Sequence, residues 1–242
     1  MVDLCLLTRW SGLAGIMLAG LIHPVFNFDA AAESLAAGVK EDPAYSLVVA
    51  AEDTRLALKT YDHETFMELL SHNPGVVDYL YPNGFTLLEE AAYVGNLPAV
   101  EALLLRGVDP DFGRFRPLSL ALPGLAMDLR VPAQSPVTRG TFYRIIIVLL
   151  EAGADYRFLE GLETAFMGEP WSFVEGLVMD VCDPKHYSVD HLAVFREADI
   201  HFRLERKFLR NMKKIRALAK IGLANPACVA YFDSRIIPLE KT

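Results

Sequence analysis

The chain has 242 residues, a formal net charge of −8 and a mean hydropathy of +0.25. This length allows one sizeable core, and an apolar fraction of 52% excludes an intrinsically disordered chain. The acidic balance, with a pI near 5.3, argues against nucleic-acid binding, which needs a basic surface. It favours basic partners, which the field of an acidic protein attracts.

Residues 1–32 have the layout of a secretory signal peptide. An apolar stretch over residues 10–22 is followed by Pro24, and three alanines at 30–32 supply a small-residue cleavage site before Glu33. The apolar stretch is short for a transmembrane span. We therefore expect a periplasmic or otherwise exported protein, with membrane contact only through this segment if it is uncleaved. The alternatives are a membrane anchor and an N-terminal helix packed on the first helical unit, which would leave the protein in the cytoplasm.

The three cysteines are Cys5, Cys182 and Cys228. Cleavage of the N-terminal segment would remove Cys5 and leave an even pair, which could form a disulfide in an oxidising compartment. The alternative is two buried, unpaired thiols, since free cysteine is commonly a small core residue.

Residues 33–45 are small, polar and interrupted by Pro43, which is typical of a linker or leading turn. Helical patterning begins near Ser46 and stops at residues 73–75. Apolar and capping positions in this first unit share their spacing with a second set further along the chain. The two sets are Ala57, Leu58, Asp62, Phe66, Leu69 and Leu70, and Ala91, Ala92, Asn96, Val100, Leu103 and Leu104. The charges Glu52, Asp53, Arg55 and Lys59 are expected on an outside face, as in a capping repeat.

The second unit, residues 83–109, contains the most regular local signals. Asn83-Gly84 predicts a tight turn. Thr86, with Glu89 three residues later, predicts a capping box at the start of a helix. Gly95-Asn96 breaks this helix, and Gly107 stands where a left-handed C-terminal cap ends the next one.

This order of turn, short helix, tight turn, longer helix and glycine stop resembles an ankyrin repeat. The family's usual Thr-Pro-Leu-His reads Thr86-Leu87-Leu88-Glu89 here, so the proline and the histidine are missing. Glu89 can replace the histidine electrostatically, as a first-turn carboxylate near helix amides. The resemblance implies a solenoid of helix pairs that binds other proteins without catalysis.

A third unit is split by an insertion. Pro117 restarts a first helix after a short finger at 109–116, and its partner helix follows only at Ile145–Leu150, before Gly153-Ala154-Asp155. Residues 123–140 lie between them, with three prolines and no clear period. Insertions in such arrays map to loops on one face, so we expect a functional or disordered loop there, with a plug for a partner's active site as one hypothesis.

The remaining chain predicts a degenerate fourth unit and a helical cap. Leu162 to Phe166 could begin a helix, and Trp171, Val174, Leu177 and Val178 could form the packing face of the next, which Asp183-Pro184 stops. Phe208, Met212, Ile215 and Leu218 or Ala219 form one apolar stripe within a helical pair or one long helix over 189–223. The expected fold is therefore all-α: three to four ankyrin-like units over 33–182 and a cap over 183–242 that closes the last apolar face.

Exposed aromatic and arginine side chains near the predicted turns are the candidate contact residues. Such residues fit the profile of interface hot spots. They are Pro82, Asn83, Phe85, Tyr93, Arg106, Phe112, Arg114 and Phe115, with Arg130 in the insertion. Phe85 or Phe115 could instead fold inward over its turn.

A basic run over residues 203–220 stands out in this acidic chain. It could bind an anion, a lipid headgroup or an acidic partner. The favoured alternative is a solvated face that pairs with carboxylates of the array.

Catalytic signals are weak. His186, Asp190, His191, Glu197 and His201 cluster in sequence without the spacing of a metal site, and no nucleophile or phosphate-binding motif occurs. We expect no enzyme, no cofactor and no metal. The function indicated is protein binding, in one version as a stoichiometric, immunity-type inhibitor of a secreted or envelope protein. The alternatives are a cytoplasmic or host-directed adaptor, and a small hydrolase or metal-binding protein that uses the cap.

Overall fold

A computed structural model describes residues 43–129, 137–159 and 171–239 of the chain. Over these residues the chain is predominantly helical, which confirms the all-α class. The predicted signal peptide (1–32), Arg130 and the helix start at Leu162 to Phe166 lie outside the described residues. The helices are α1 (Pro43–Lys59), α2 (His63–His72), α3 (Leu87–Val94), α4 (Leu97–Leu105), α5 (Pro117–Ala121), α6 (Arg139–Glu151), α7 (Phe173–Cys182), α8 (Val189–Ala198), α9 (Arg206–Lys220) and α10 (Pro226–Arg235).

The first six helices pack as consecutive pairs whose members contact their counterparts in the neighbouring pair. Helix α3 contacts α1 and α5, while α4 contacts α2 and α6. The small residues Ala91 and Ala92 of α3 are fully buried, as are Val100 and Leu103 of α4. Small residues on α3 allow close approach of the neighbouring helices, and the larger apolar residues on α4 fill the space behind them.

The turn inside each of the first two helix pairs has the same geometry. The amide of Asp62 donates to the Ala57 carbonyl at 2.9 Å, and the amide of Asn96 donates to the Ala91 carbonyl at 3.0 Å. Asp62 and Asn96 each cap the following helix with a side-chain oxygen. The Asn96 amide group also donates to the Leu58 carbonyl of the preceding pair at 2.8 Å, so the capping residue of one turn holds the other.

The second helices of the second and third pairs, α4 and α6, also end alike. Gly107 and Gly153 follow α4 and α6 with φ values of 81° and 95°, in the left-handed region that favours glycine. The amides of Val108 and Ala154 donate back to the Leu103 and Leu149 carbonyls at 3.3 and 2.9 Å. The predicted glycine stop is therefore confirmed at Gly107.

The described flanks of the insertion belong to the core, which differs from the loop expected over 123–140. A 3-10 helix continues from α5 over Leu122–Leu129, and Leu125 and Val137 are both buried. A Cβ on Gly124 would lie 2.3 Å from the Phe142 ring, so the chain passes too close to α6 for any larger residue. Sequence alone missed this because the flanks are short and have no period.

Helix α7 coincides with the packing face expected in the degenerate fourth unit, and the predicted cap contains α8 to α10. The cap also has a short parallel pair of strands, β1 (Phe202–Leu204) and β2 (Ile236–Pro238), with Phe202 opposite Ile236. The predicted helix pair over 189–223 is therefore two helices separated by a strand, and the tail forms a helix and a strand of its own. The predicted apolar stripe of α9 is buried at Phe208, Met212, Ile215 and Ala219. A disulfide joins Cys182 at the end of α7 to Cys228 in α10.

Candidate protein-interaction surface

The turn before α3 presents Phe85 beside the helix. The Gly84 amide donates to the Tyr81 carbonyl at 2.8 Å, and the Tyr81 amide donates to the Phe85 carbonyl at 2.9 Å. Gly84 has a φ of 80°, and the Asn83 side chain accepts from the Phe85 amide at 3.1 Å. The predicted Asn83-Gly84 turn is confirmed. Its closure leaves Phe85 half-buried and directed towards neighbouring aromatic rings.

Glu89 connects this turn to the next one along the chain. Its Oε2 accepts from the Thr86 amide at 2.7 Å, which completes the predicted capping box, and its Oε1 accepts from the Phe115 amide at 2.6 Å. Gly113 passes so close that a Cβ there would lie 2.3 Å from the Glu89 carboxyl carbon. One buried carboxylate thus holds the backbone next to Phe85, at the Thr86 amide, and the backbone of Phe115 itself.

An aromatic cluster results at the surface, which we define as Phe85, Tyr93 and Phe115 with Arg114. The Phe85 ring lies 5.1 Å from the Phe115 ring and 5.9 Å from the Tyr93 ring, both in edge-to-face arrangements. The Arg114 guanidinium lies 5.2 Å from the Phe115 ring centre. Tyr93 is 53% exposed and Phe115 is 37% exposed, so these rings remain available to solvent. Phe115 therefore does not fold inward, and Phe85 does so only in part.

An ion-pair network around the buried Glu90 carboxylate joins α1 to α3 and to the turn before α3. Glu90 accepts from Arg55 at 3.1 Å, from Lys59 at 2.8 Å and from the Asn83 side chain at 3.3 Å. Burial alone would raise the pKa of Glu90, but the bonds from Lys59, Asn83 and Arg55 outweigh it and hold the pKa below its ordinary value. Lys59 is exposed, as are Glu52 and Asp53, which agrees with the expected outside face. Arg55 is only partly exposed, because its side chain reaches Glu90 of α3.

The other predicted contact residues are more scattered. Pro82 and Asn83 are exposed in the turn, although the Asn83 side chain is engaged within the protein. Phe112 is exposed in the second turn. Arg106 follows α4, where its guanidinium contacts the Met67 sulfur of α2 at 3.9 Å rather than the aromatic cluster.

Sequence reasoning missed the supporting role of Arg55, Lys59 and Gly113. Arg55 and Lys59 occupy one helical face, four residues apart, which is a signal for a shared partner. Nothing in the local sequence pointed to Glu90 as that partner, because the contact joins residues 35 positions apart.

The basic run divides into paired and unpaired residues. Lys207 pairs with Glu205 at 3.0 Å, and Arg216 pairs with Asp233 through two bonds at 2.5 and 2.9 Å. Both of these carboxylates lie in the predicted cap, whereas Lys214 of the same run acts electrostatically on Glu175 of α7, within the predicted array. Arg206, Arg210, Lys213 and Lys220 have no carboxylate partner among the described residues.

The histidine-rich part of the cap does not form a metal-binding group in the described part of the chain, where no three His, Cys, Asp or Glu side chains come together. The His191 ring packs 4.9 Å from the Tyr143 ring. Burial, with the Asp180 carboxylate beside it, raises the pKa of Tyr143. Cys182 is held in the disulfide and so offers no nucleophile to His186.

Comparisons with protein-family models, with curated proteins and with solved structures find no match to this chain. Among the described residues, no helix is both long and apolar enough to span a membrane.

Proposed function

We propose that the chain is a non-catalytic, ankyrin-type protein-binding module whose partner docks on the aromatic cluster. The observation that carries this proposal is the combination of exposed rings with a backbone held by Glu89. Tyrosine, phenylalanine and arginine on a preorganised surface supply contact area at a small entropic cost.

Two features support the ankyrin part of the proposal. The first is the pairwise packing of α1 to α6, in which first helices contact first helices and second helices contact second helices. The second is Glu89, which occupies the position of the family's histidine and bonds to the backbone of its own turn and of the next.

The partner we propose is a secreted or envelope protein that is bound stoichiometrically, as in an immunity-type inhibitor. The Cys182–Cys228 disulfide favours an oxidising compartment for the chain. The charge of −8 favours a partner with a basic face. Titration of thiols in protein isolated without reductant tests the compartment: absent thiols at both positions support export, and two free thiols favour the cytoplasmic adaptor.

The test of the binding surface uses a partner captured on the wild-type chain and then titrated against purified variants. Tyr93→Ala should weaken binding roughly thirtyfold, the loss expected of a hot-spot residue worth about 2 kcal/mol. Leu105→Ala is the matched control, because Leu105 is 88% exposed and lies at the end of α4, outside the cluster. Equal affinity of the two variants would refute the proposed surface.

Deletion of residues 123–140 would be a poor test of the insertion. It would remove Leu125 and Val137 from the core together with the rest of the segment. Loss of binding would then report loss of packing.

A further inference from the structure

The four unpaired cations of α9 lie on one line along the helix. Arg206, Arg210, Lys213 and Lys220 follow the three- and four-residue spacing of a single helical face. All four are exposed, while Phe208, Met212, Ile215 and Ala219 on the opposite face are buried. At a rise of 1.5 Å per residue, this basic stripe is about 21 Å long.

No acidic residue interrupts the basic stripe. Helix α9 contains neither aspartate nor glutamate. Of the carboxylates that reach it, Glu205 and Asp233 pair with Lys207 and Arg216, and Glu175 accepts from Asn211. In a chain with a net charge of −8, this is a local reversal of sign. The described carboxylates of the chain therefore do not pair with the cations of the stripe. A negatively charged surface is the natural complement of the stripe.

Two exposed apolar side chains continue the stripe at its C-terminal end. Ile221 is 71% exposed and Leu223 is 57% exposed, directly after Lys220. Their turn is well defined, because Gly222 has a φ of 79° and the Leu223 amide donates to the Leu218 carbonyl at 3.0 Å. An environment that is both anionic and apolar would complement the cations and these two side chains together.

We propose that this face of the cap binds the surface of an anionic lipid membrane. The basic stripe lies against the headgroups, and Ile221 and Leu223 enter the boundary between headgroups and acyl chains. A nucleic acid would satisfy the cations but would leave the two apolar side chains without a partner. This inference concerns α9 and the turn after it, and it does not depend on the partner of the aromatic cluster.

The test measures partition of the full chain onto vesicles of phosphatidylcholine alone and of phosphatidylcholine mixed with phosphatidylglycerol. Binding is expected only to the mixed vesicles, and it should fall as ionic strength rises. The variant Arg210→Gln/Lys213→Gln should lose roughly thirtyfold in partition coefficient, the contribution expected of two basic residues at a charged lipid surface. The matched control is Arg144→Gln/Lys185→Gln, which removes the same charge from exposed positions on other elements and should bind like the wild type.

A third variant, Ile221→Ser/Leu223→Ser, separates a membrane from other polyanions. It should bind mixed vesicles several-fold more weakly, with no change in any retention on a DNA oligonucleotide or on polyglutamate. Equal binding to both vesicle types, or an equal loss in the control variant, would overturn the proposal. Stripe-dependent binding to DNA or polyglutamate without binding to vesicles would also overturn it.

Discussion

Helices α3 and α7 begin with the same local device in two different regions of the molecule. Thr86 and Ser172 accept from the amides of Glu89 and Glu175 at 3.2 and 3.1 Å. The two carboxylates accept in return from the N-cap amides at 2.7 and 2.8 Å. Locally, the two capping boxes are nearly identical.

The second carboxylate oxygen distinguishes them. Oε1 of Glu89 accepts from the Phe115 amide, whereas Oε1 of Glu175 is buried without a hydrogen-bond partner among the described residues. The Asn211 side chain reaches the other oxygen of Glu175, at 3.2 Å. Burial raises the pKa of Glu175, and the bonds from Ser172 and Asn211 offset this only in part. A local motif therefore determines the helix cap, while the neighbouring chain determines whether the carboxylate also links two turns.

The largest expected effect concerns the region around the second box, because the disulfide joins α7 to α10. Removing it with Cys182→Ala/Cys228→Ala should lower the free energy of unfolding by about 4 kcal/mol, since the bond spans a sequence separation of 46 residues. Urea unfolding measures this loss. Reduction of the wild type should reproduce it and should leave the variant unchanged; a wild type indifferent to reductant would contradict the expectation.

The next largest effect is expected from a substitution that disturbs the hydrogen bonds of Glu89 to the two turns. Gly113→Ala should cost about 3 kcal/mol, because φ is 122° and the new Cβ meets the Glu89 carboxylate. Gly107→Ala is the matched control, with a φ of 81° and nothing within 4 Å of a Cβ, and should cost about 1 kcal/mol. Thermal or urea unfolding distinguishes them, and equal losses would show that the carboxylate contact does not matter.

Glutamine substitutions compare the two boxes directly. Glu89→Gln must turn an NH₂ group towards either the Thr86 or the Phe115 amide, so we expect a loss of about 2 kcal/mol. Glu175→Gln can keep its carbonyl oxygen towards the Ser172 amide and Asn211, and should cost less than about 1 kcal/mol. Urea unfolding at neutral pH measures both changes. The reverse order would contradict the assignment of the bonds.

The smallest effect is a difference in pH dependence. The raised pKa of Glu175 means that its protonated form favours the folded state, so its contribution is full below the ordinary glutamate pKa and is lost as pH rises through the folded value. The lowered pKa of Glu90 has the opposite sign: its contribution is present above the ordinary pKa and is lost in acid. On acidification, the urea midpoint of the wild type should therefore rise relative to that of Glu175→Gln. It should fall relative to that of Glu90→Gln. Parallel pH profiles would argue against the two environments described.

Local chemistry made much of the first region predictable. The Asn83-Gly84 turn, the capping box at Thr86 and the stop at Gly107 each depend on residues close in sequence, and all three occur as expected. The aromatic rings near the turns could be proposed from the same pattern, although not their mutual distances.

Long-range contacts could not be derived in the same way. The pairing of Glu90 with Arg55 and Lys59 joins separate helices and leaves Arg55 less exposed than an outside face would. Strands of three residues carry too little pattern to predict the pairing of Phe202 with Ile236. Leu125 and Val137 belong to an aperiodic segment, so their burial depends on distant parts of the chain, such as Gly95, which lies beside Val137.

Site-specific photo-crosslinking tests the central claim, that a protein partner docks on the aromatic cluster, most directly. A benzophenone side chain replaces Tyr93 in one sample and Leu105 in a second, both at exposed positions. We predict one adduct of defined mass from the Tyr93 position and none from the Leu105 position. Adducts from Leu105 alone, or equal adducts from both, would contradict the proposed surface.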